Sequence, residues 1–380
     1  MFRSAPAPDT DRRKTNSGLH PNTTAYFGVR RQVAAFALGQ NAMANSKAAT
    51  SRRTPKEPFF MKKKLLTVAL LICLSATVRI SPTSGQDKNS NRPVSRSVAI
   101  TFDDLPATHG DYETMSDTTK RLLQSITSNK VPAVGFVNEQ KLYRPGEMDK
   151  RVTLLQMWLD AGLELGNHTF SHVYIDQVPF SKYKEEVIRG ETITRMLLDS
   201  RGRKLRYFRH TQLRTGPTLE YKESLDRFLA DRGYTVAPVT IDNQDFMFAD
   251  IYSRAKARKD LETMKRVGAA YLPYMERIFD FFEKLSTDFL GYEVKQVLLL
   301  HANELNAVYF DDLVRMMRKR GYSFITLEEA LRDKAYSLPD AQTTRGLSWI
   351  HRWMLAKGLK MRPEPGEPEF ITELFRAGRQ

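Results

Sequence analysis

The chain contains 380 residues, of which 41% are hydrophobic and 27% are charged, and this length allows one large or two ordinary domains with a substantial core. Its formal net charge of +15 comes mainly from residues 1–93, which contain 16 Lys and Arg residues and 4 Asp and Glu residues. Residues 94–380 contain the other 43 Lys and Arg residues and the other 40 Asp and Glu residues. Because the larger part of the chain is nearly neutral, net charge gives no reason to expect nucleic acid as a partner.

The N-terminal part of the sequence is predicted to be a leader rather than a domain. Residues 1–60 are rich in Ser, Thr, Ala and basic residues without sustained periodicity, so we interpret them as a non-structural extension. In residues 61–80, three lysines after Met61 precede the apolar run 65–74, which is typical of a secretory signal peptide. The run is shorter than the ~20 residues of a membrane span, and an uncleaved membrane tether through residues 65–74 is the alternative.

The single cysteine, Cys73, lies in this apolar run. The chain after residue 80 therefore contains no cysteine, which excludes disulfides and thiol catalysis there. Residues 81–95 are rich in Ser, Pro, Asn and Gln and are predicted to be a linker. Together these features predict an extracytoplasmic protein that is periplasmic, held at the cell envelope or secreted.

From residue 96 to 335, short strand-like runs alternate with amphipathic stretches, which predicts a parallel sheet with helices on its faces. Seven such units favour an α/β fold with a distorted or incomplete (β/α)7 barrel, and an open doubly wound sheet is the alternative. The predicted strands are Val98–Phe102, Ala133–Val137, Leu163–Gly166, Leu205–Phe208, Thr235–Ile241, Gln296–Leu300 and Ser323–Thr326. The predicted helices span residues 117–129, 149–161, 181–200, 219–232, 258–290, 309–320 and 327–335.

Two regions are predicted to lie outside the regular alternation. The stretch 258–290 is long and rich in aromatic residues, and we expect a helical insertion that packs on the barrel. Residues 336–380 are predicted to be a C-terminal extension packing on the domain. In this extension, Trp349 and Trp353 are expected to serve packing, with a sugar-stacking patch as the less favoured reading.

Polar residues of catalytic types follow five of the predicted strands. Since the carboxyl ends of parallel strands meet at one edge, where α/β barrels build their active sites, we expect these side chains to share one site. They are Asp103 and Asp104 after the first strand, His168 and His172 after the third, Arg209 after the fourth, Asp245 after the fifth and His301 at the end of the sixth.

The spacing of His168 and His172 allows both imidazoles to lie on one side of a turn or helix. With one carboxylate they form a ligand set that leaves coordination positions open, as catalytic metal sites do. A His-x-x-x-His pattern alone is weak, and a structural role is then the more frequent outcome. The adjacent Asp103 and Asp104 change this balance, because neighbouring carboxylates repel unless a cation or an arginine offsets them.

Two motifs make the chain similar to the polysaccharide deacetylase superfamily, carbohydrate esterase family four, with its nodulation-type chitooligosaccharide deacetylases. Thr101-Phe102-Asp103-Asp104 resembles the family's T-F-D-D signature, and His168-Thr169-Phe170-Ser171-His172 resembles H-[ST]-x-x-H. Both motifs are complete and in the family's order. The resemblance covers about residues 94–335, so residues 96–335 are expected to be the deacetylase-like catalytic domain.

The resemblance implies a division of roles among the polar residues. Asp104, His168 and His172 would hold a divalent metal, with Zn²⁺ expected and Co²⁺ as an alternative. Asp103 would act as general base toward the attacking water, and His301 would act as general acid toward the leaving atom.

The same resemblance implies supporting residues and a substrate pocket. Arg209 would orient and partly neutralise Asp103, and Asp245 would orient His301 and favour its charged form. Leu299 and Phe246 would line the pocket for the acetyl group. A backbone N–H near Gln212 would complete the oxyanion hole.

Departures from the family pattern concern the pocket more than the metal ligands. Arg209 is followed by His210-Thr211-Gln212 where the family has Pro-Pro-Tyr, and Phe246 stands where the family usually has tryptophan. His301 is followed by the stretch 302–306, whose polar residues are expected to face the site. These changes leave the shape of the substrate pocket open.

The sequence therefore predicts a secreted, metal-dependent hydrolase that removes acetyl groups from N-acetylated amino sugars of a polysaccharide or oligosaccharide. Its expected partner is an acetylated glycan. The alternatives are an O-acetyl esterase acting on xylan or a similar glycan, a non-catalytic carbohydrate-binding relative, and another metal-dependent hydrolase of C–N bonds.

Overall fold

The computed structural model describes residues 95–379. The predictions for residues 1–60, for 61–80 with its tether 65–74, and for nearly all of the linker lie outside the described residues. Within residues 95–379, no helix is both long enough and apolar enough to cross a membrane.

Seven parallel strands form the central sheet, in the order β5-β4-β3-β2-β1-β6, and β7 pairs with residues 96–98 of β1. The β-branched and aromatic residues of these runs suit a pleated surface that is buried on both faces. The strands are β1 (Arg96–Leu105), β2 (Ala133–Val137), β3 (Glu164–Asn167), β4 (Tyr207–Phe208), β5 (Thr235–Val236), β6 (Gln296–His301) and β7 (Tyr322–Phe324).

The sheet curls, and this confirms the predicted incomplete (β/α) barrel. The chain after β5 passes from one edge of the sheet to the other: the N–H of Ala237 donates to the carbonyl of Phe208, and Ile241 pairs with Leu298 in β6. The predicted strand 235–241 is therefore split between two neighbours, with only its first two residues in a regular ladder.

Helices surround the sheet, and several begin at a side-chain cap, as at Asp111, Thr218, Asp260 and Asn303. They are α1 (Tyr112–Ser128), α2 (Met148–Asp160), α3 (Phe180–Arg189), α4 (Thr192–Asp199), α5 (Leu219–Asp231), α6 (Asp245–Ala257), α7 (Leu261–Leu290), α8 (Glu304–Lys319), α9 (Leu327–Ala330), α10 (Trp349–Ala356) and α11 (Glu369–Ala377).

Successive side chains of β1 point to opposite faces of the sheet, and this alternation divides the core and positions the site. Ile100 and Phe102 point outward, and the ring of Phe102 packs edge-on against Trp158 of α2 and Phe310 of α8. Ala99 belongs to a smaller apolar cluster on the opposite face. Because side chains alternate along a strand, Thr101 and Asp103 lie on that second face, nearer its carboxyl end.

Two helical predictions differ from the structure. The predicted helix 181–200 is two helices, α3 and α4, separated at Gly190. The predicted insertion 258–290 is α7, but it is preceded by α6, which the sequence did not indicate. Helix α6 packs against α7, α8 and α11, so apolar residues occupy much of its circumference and leave no single stripe to recognise.

The C-terminal extension contacts the segment that follows β5 and crosses to β6. The N–H of Trp349 donates to the carbonyl of Val239 at 2.7 Å, and the hydroxyl of Ser348 donates to the carbonyl of Thr240 at 2.8 Å. Trp349 and Trp353 are buried, so the sugar-stacking reading of these tryptophans is wrong. Helix α11 packs on α6, where Arg254 donates to the carbonyl of Leu374 at 2.9 Å.

Gly190 is a point where the fold supports the histidine motif. A Cβ at this position would lie 2.5 Å from the carbonyl carbon of Thr169 and 2.7 Å from the nitrogen of Phe170. We expect Gly190→Ala to displace that turn and to lower the free energy of unfolding by ~1–3 kcal/mol, measured by denaturant titration. Gly366→Ala is the matched control, since nothing lies within 4 Å of its added Cβ. Equal stability of the two variants would contradict this packing argument.

Candidate active site

The end of β1 places two adjacent carboxylates on one site. Neighbouring side chains in a regular strand face opposite sides of the sheet. Here the pairing of β1 with β2 shifts between Phe102 and Leu105, and Asp104 has φ of 71°. This irregularity turns Asp104 so that both carboxylates approach His168 Nε2, from Asp103 Oδ2 at 3.6 Å and from Asp104 Oδ1 at 3.9 Å.

Asp104, His168 and His172 fit a divalent metal. One ligand atom from each lies within 4.8 Å of the others, and His172 Nε2 is 3.6 Å from Asp104 Oδ1. Metal–ligand bonds of ~2.0–2.2 Å in a tetrahedral site place the ligand atoms roughly 3.3–3.6 Å apart. The three side chains would therefore need to move little to bind the ion. Asp104 Oδ1 is buried without a hydrogen-bond partner among the described residues, as expected of an oxygen reserved for a cation.

The turn that carries the two histidines is fixed by buried polar contacts. The side-chain oxygen of Asn167 accepts from the N–H of Thr169 at 2.8 Å, and Thr169 Oγ1 accepts from the N–H of His172 at 3.1 Å. Glu186 of α3 accepts from both the N–H and the hydroxyl of Ser171, at 2.8 and 2.6 Å.

Both imidazoles have a partner that orients the ring. Nδ1 of His168 lies 2.9 Å from the carbonyl oxygen of Arg209, so Nδ1 carries the proton and Nε2 is free for a ligand bond. Nδ1 of His172 lies 3.0 Å from the side-chain amide of Gln212. Burial lowers the pKa of each histidine to about 4, so both are neutral near pH 7, as metal ligands must be.

Asp103 and Arg209 form a buried pair below this site. Arg209 Nε lies 3.8 Å from Asp103 Oδ1, while Arg209 Nη2 donates to Thr101 Oγ1 at 2.7 Å. Burial raises the pKa of Asp103 to about 6, against the opposing charges of Arg209 and His301. Asp103 Oδ1, the oxygen that faces Arg209, is buried without a hydrogen-bond partner among the described residues, while Oδ2 is the oxygen nearer His168.

His301 stands opposite Asp103, since the two residues are register partners in β6 and β1. Its Nδ1 lies 2.6 Å from Asp245 Oδ1, and its backbone N–H donates to Asp245 Oδ2 at 2.9 Å. The side-chain amide of Asn306 also donates to Asp245 Oδ2, at 2.6 Å. Burial opposes protonation of His301, but Asp245, Asp104 and Asp103 raise its pKa to about 10.

Lys141 is a member of this site that the sequence did not indicate. It lies in a short 3-10 turn after β2, a position without a pattern to distinguish it. Its Nζ donates to the carbonyl of Asp104 at 2.9 Å and is 3.7 Å from Asp104 Oδ1. Although burial opposes ionisation of Asp104, Lys141 and the histidines hold its pKa below the ordinary value.

The predicted pocket residues lie around these groups. Leu299 is buried in β6 two residues before His301, so both side chains point to the same face of the sheet. Phe246, at the start of α6, is 37% exposed and meets the ring of His301 edge-on at 6.2 Å. On its other side it meets Phe375 of α11 at 5.7 Å, so the C-terminal extension reaches the rim.

Backbone conformations rare for residues with a Cβ are concentrated here. In residues 95–379, seven residues other than glycine have positive φ, and five of them belong to the site and its loops. Such conformations cost ~1–3 kcal/mol each and are retained where the surrounding contacts fix them. The five are Asp104, Thr169, His172, Gln212 and Leu213.

The fold is an incomplete α/β barrel, and Asp104, His168 and His172 form a candidate metal site at the carboxyl edge of its strands. Residues 90–237 match the model of the polysaccharide deacetylase family. The segment that carries both motifs thus belongs to the polysaccharide deacetylase superfamily, as the motifs predicted. The matched range includes the ligand set and Arg209, while Asp245 and His301 lie beyond it.

Solved structures give more distant matches. A family 4 carbohydrate esterase from Streptomyces lividans, in complex with acetate, is 19% identical, covering 62% of this chain and 95% of its own, with TM-score 0.40. The peptidoglycan deacetylase PdaC from Bacillus subtilis is 18% identical, covering 63% and 92%, with TM-score 0.39. A CE4 family pseudoenzyme from Bacillus anthracis is 15% identical, covering 63% and 66%, with TM-score 0.39. These values are too low to assign an activity, and the comparison with curated proteins finds no match.

The ion pair between His301 and Asp245 predicts a change in pH dependence. Asp245→Asn removes the negative partner and leaves burial to lower the pKa of His301 from about 10. If catalysis requires protonated His301, the alkaline limb of the kcat/KM profile should move to lower pH by at least about one unit. An NMR titration of His301 measures the same shift without substrate. An unchanged His301 pKa in the variant would contradict this assignment.

Proposed function

We propose that this protein is a metal-dependent hydrolase that removes acetyl groups from N-acetylated amino sugars of a polysaccharide or oligosaccharide. The observation that carries the proposal is the pairing of Asp103 with His301 on adjacent strands, beside the ligand set of Asp104, His168 and His172. One carboxylate and one charged imidazole thus face a common space at the sheet edge. General base and general acid are the two protein groups that amide hydrolysis requires.

Asp103 suits the role of base. With a pKa of about 6, it is ionised near pH 7 yet more basic than an ordinary carboxylate. Arg209 is fully buried, and its Nε lies 3.8 Å from Asp103 Oδ1. The positive charge of the guanidinium orients the carboxylate. A bound divalent metal would supply Lewis acidity, lowering the pKa of water and polarising the acetyl carbonyl. Asp103 then takes the proton that the attacking water releases.

His301 suits the role of acid and favours an amide over an ester. An amine leaving group needs a proton as the C–N bond breaks, whereas an alkoxide leaves with less assistance. Asp245 keeps His301 protonated well above neutral pH, so a proton is available at this atom throughout the working range. This is why N-deacetylation is preferred to the O-acetyl esterase alternative.

The ligand set supports Zn²⁺ as the metal, since two imidazoles and one carboxylate leave open positions on a tetrahedral ion. Co²⁺ accepts similar ligands and is the alternative. Extracytoplasmic action is part of the proposal and is supported by the apolar run 65–74 behind three lysines. The substrate class is supported by the family match of residues 90–237.

Acetate release from acetylated chitooligosaccharides in the presence of Zn²⁺ or Co²⁺ tests the proposal. Asp103→Asn should lower kcat by ~10²–10⁴-fold while one metal ion remains bound per chain, because the variant loses the base and keeps the ligands. His168→Ala is the control that should lose the metal itself. Both quantities are measured on the same preparations, by coupled acetate assay and by metal analysis.

The outcomes separate the candidates. Acetate released only from acetylated xylan would replace the proposal with the esterase. No acetate from either substrate, with one metal ion bound per chain, would replace it with a non-catalytic carbohydrate-binding relative. Full metal retention in His168→Ala would remove His168 from the ligand set.

A further inference from the structure

The loop after β4, residues 209–215, connects the metal ligands with the C-terminal extension. Its Gln212 and Leu213 have φ of 50° and 53°, in the left-handed region that disfavours residues with a Cβ. Residues 210–215 contain no proline that would restrict the backbone. Two backbone hydrogen bonds lie within the loop, from the N–H of Leu213 to the carbonyl of His210 and from the N–H of Arg214 to the carbonyl of Thr211. Contacts from outside the loop help to hold its two residues with positive φ.

Arg352 of α10 supplies one of these contacts from within the protein. Its side chain is fully buried, and Nη2 donates to the carbonyl of Leu213 at 2.6 Å. Nη1 donates to Thr215 Oγ1 at 3.2 Å and to the carbonyl of Ala341 at 3.0 Å. The planar guanidinium, with its fixed set of donors, thus ties the C-terminal half of the loop to the extension.

Gly346 supplies the second contact. A Cβ at this position would overlap the backbone carbonyl oxygen of Gln212. Its φ is outside the left-handed region, so glycine is needed here for space rather than for backbone freedom. The extension therefore lies directly against the residue whose side chain reaches the site.

Gln212 carries the contact on to a metal ligand. Its side-chain amide lies 3.0 Å from Nδ1 of His172 and donates to the carbonyl of His172 at 3.3 Å. A ring that binds a metal through Nε2 carries its proton on Nδ1, so the amide oxygen of Gln212 must lie at Nδ1. Rotation of the amide by half a turn places it there, in exchange for the contact with the carbonyl of His172. Partners on the second nitrogen of a ligating histidine fix its orientation and raise metal affinity.

We propose that Gly346 and Arg352 of the C-terminal extension are positioning residues that, through Gln212, hold His172 in the orientation that binds metal. The inference rests on the proposed function only in taking Asp104, His168 and His172 as the ligand set. It makes the extension part of the active-site structure, although no residue of that extension is among the ligands. It also gives Gln212 a role through its side chain, beside the backbone role that the family resemblance implies.

The dissociation constant for Zn²⁺, measured on the full chain by competition with a chromophoric chelator, tests the inference without substrate. We expect Gly346→Ala to weaken Zn²⁺ binding by ~10–100-fold, because the added Cβ displaces Gln212. Gly366→Ala, in the same extension and with open space around its Cβ, should bind Zn²⁺ like the unaltered chain. Unfolding temperatures of all variants show whether each remains folded.

Gln212→Ala should weaken Zn²⁺ binding by a similar factor, and adding Gly346→Ala to it should have little further effect, since both changes act through one side chain. If Gly346→Ala does not fold, Arg352→Lys replaces it as the test. Lysine keeps the positive charge but lacks the several fixed N–H donors of the guanidinium. A Zn²⁺ affinity unchanged in Gln212→Ala, or in a folded Gly346→Ala or Arg352→Lys, would overturn the inference. Failure of acetate release with these affinity differences intact would overturn the proposed function alone.

Discussion

The site depends on one local constraint: two adjacent carboxylates at the end of a buried strand must face the same space without repelling each other. The shift in pairing after Phe102 and the positive φ of Asp104 bring them to one side. Their charges are then offset by different partners, Arg209 for Asp103 and Lys141 with the charged His301 for Asp104. This difference in partners gives the two aspartates opposite pKa shifts and, in our account, different roles.

The surrounding structure keeps these strained and charged groups in place. Hydrogen bonds that Ser171 donates to Glu186 fix the histidine turn, and donors on Asn306 and the backbone of His301 fix Asp245. Burying a charge is unfavourable unless it is paired and hydrogen-bonded, so each of these contacts is needed to keep the site formed. The C-terminal extension takes part through Arg352, which donates to the carbonyl of Leu213 in the loop after β4.

Much of this arrangement could be predicted from the sequence, because it is encoded locally. The seven strands follow from short β-branched runs, and the residues brought together at the sheet edge follow from parallel topology. Contacts between distant segments could not be predicted. The orientation of Asp104 depends on pairing with β2, Lys141 lies in a turn without a pattern, and α6 lacks a single apolar stripe because three helices cover it.

The central claim is that Asp104, and not Asp103, holds the metal together with the two histidines. A crystal structure of the protein soaked with Zn²⁺, with anomalous scattering at the zinc edge, tests it most directly. We predict one strong peak within bonding distance, ~2.0–2.2 Å, of Asp104, His168 and His172. Asp103 should lie outside the coordination shell and remain beside Arg209. A zinc ion ligated by Asp103, or a peak away from these three residues, would contradict the account.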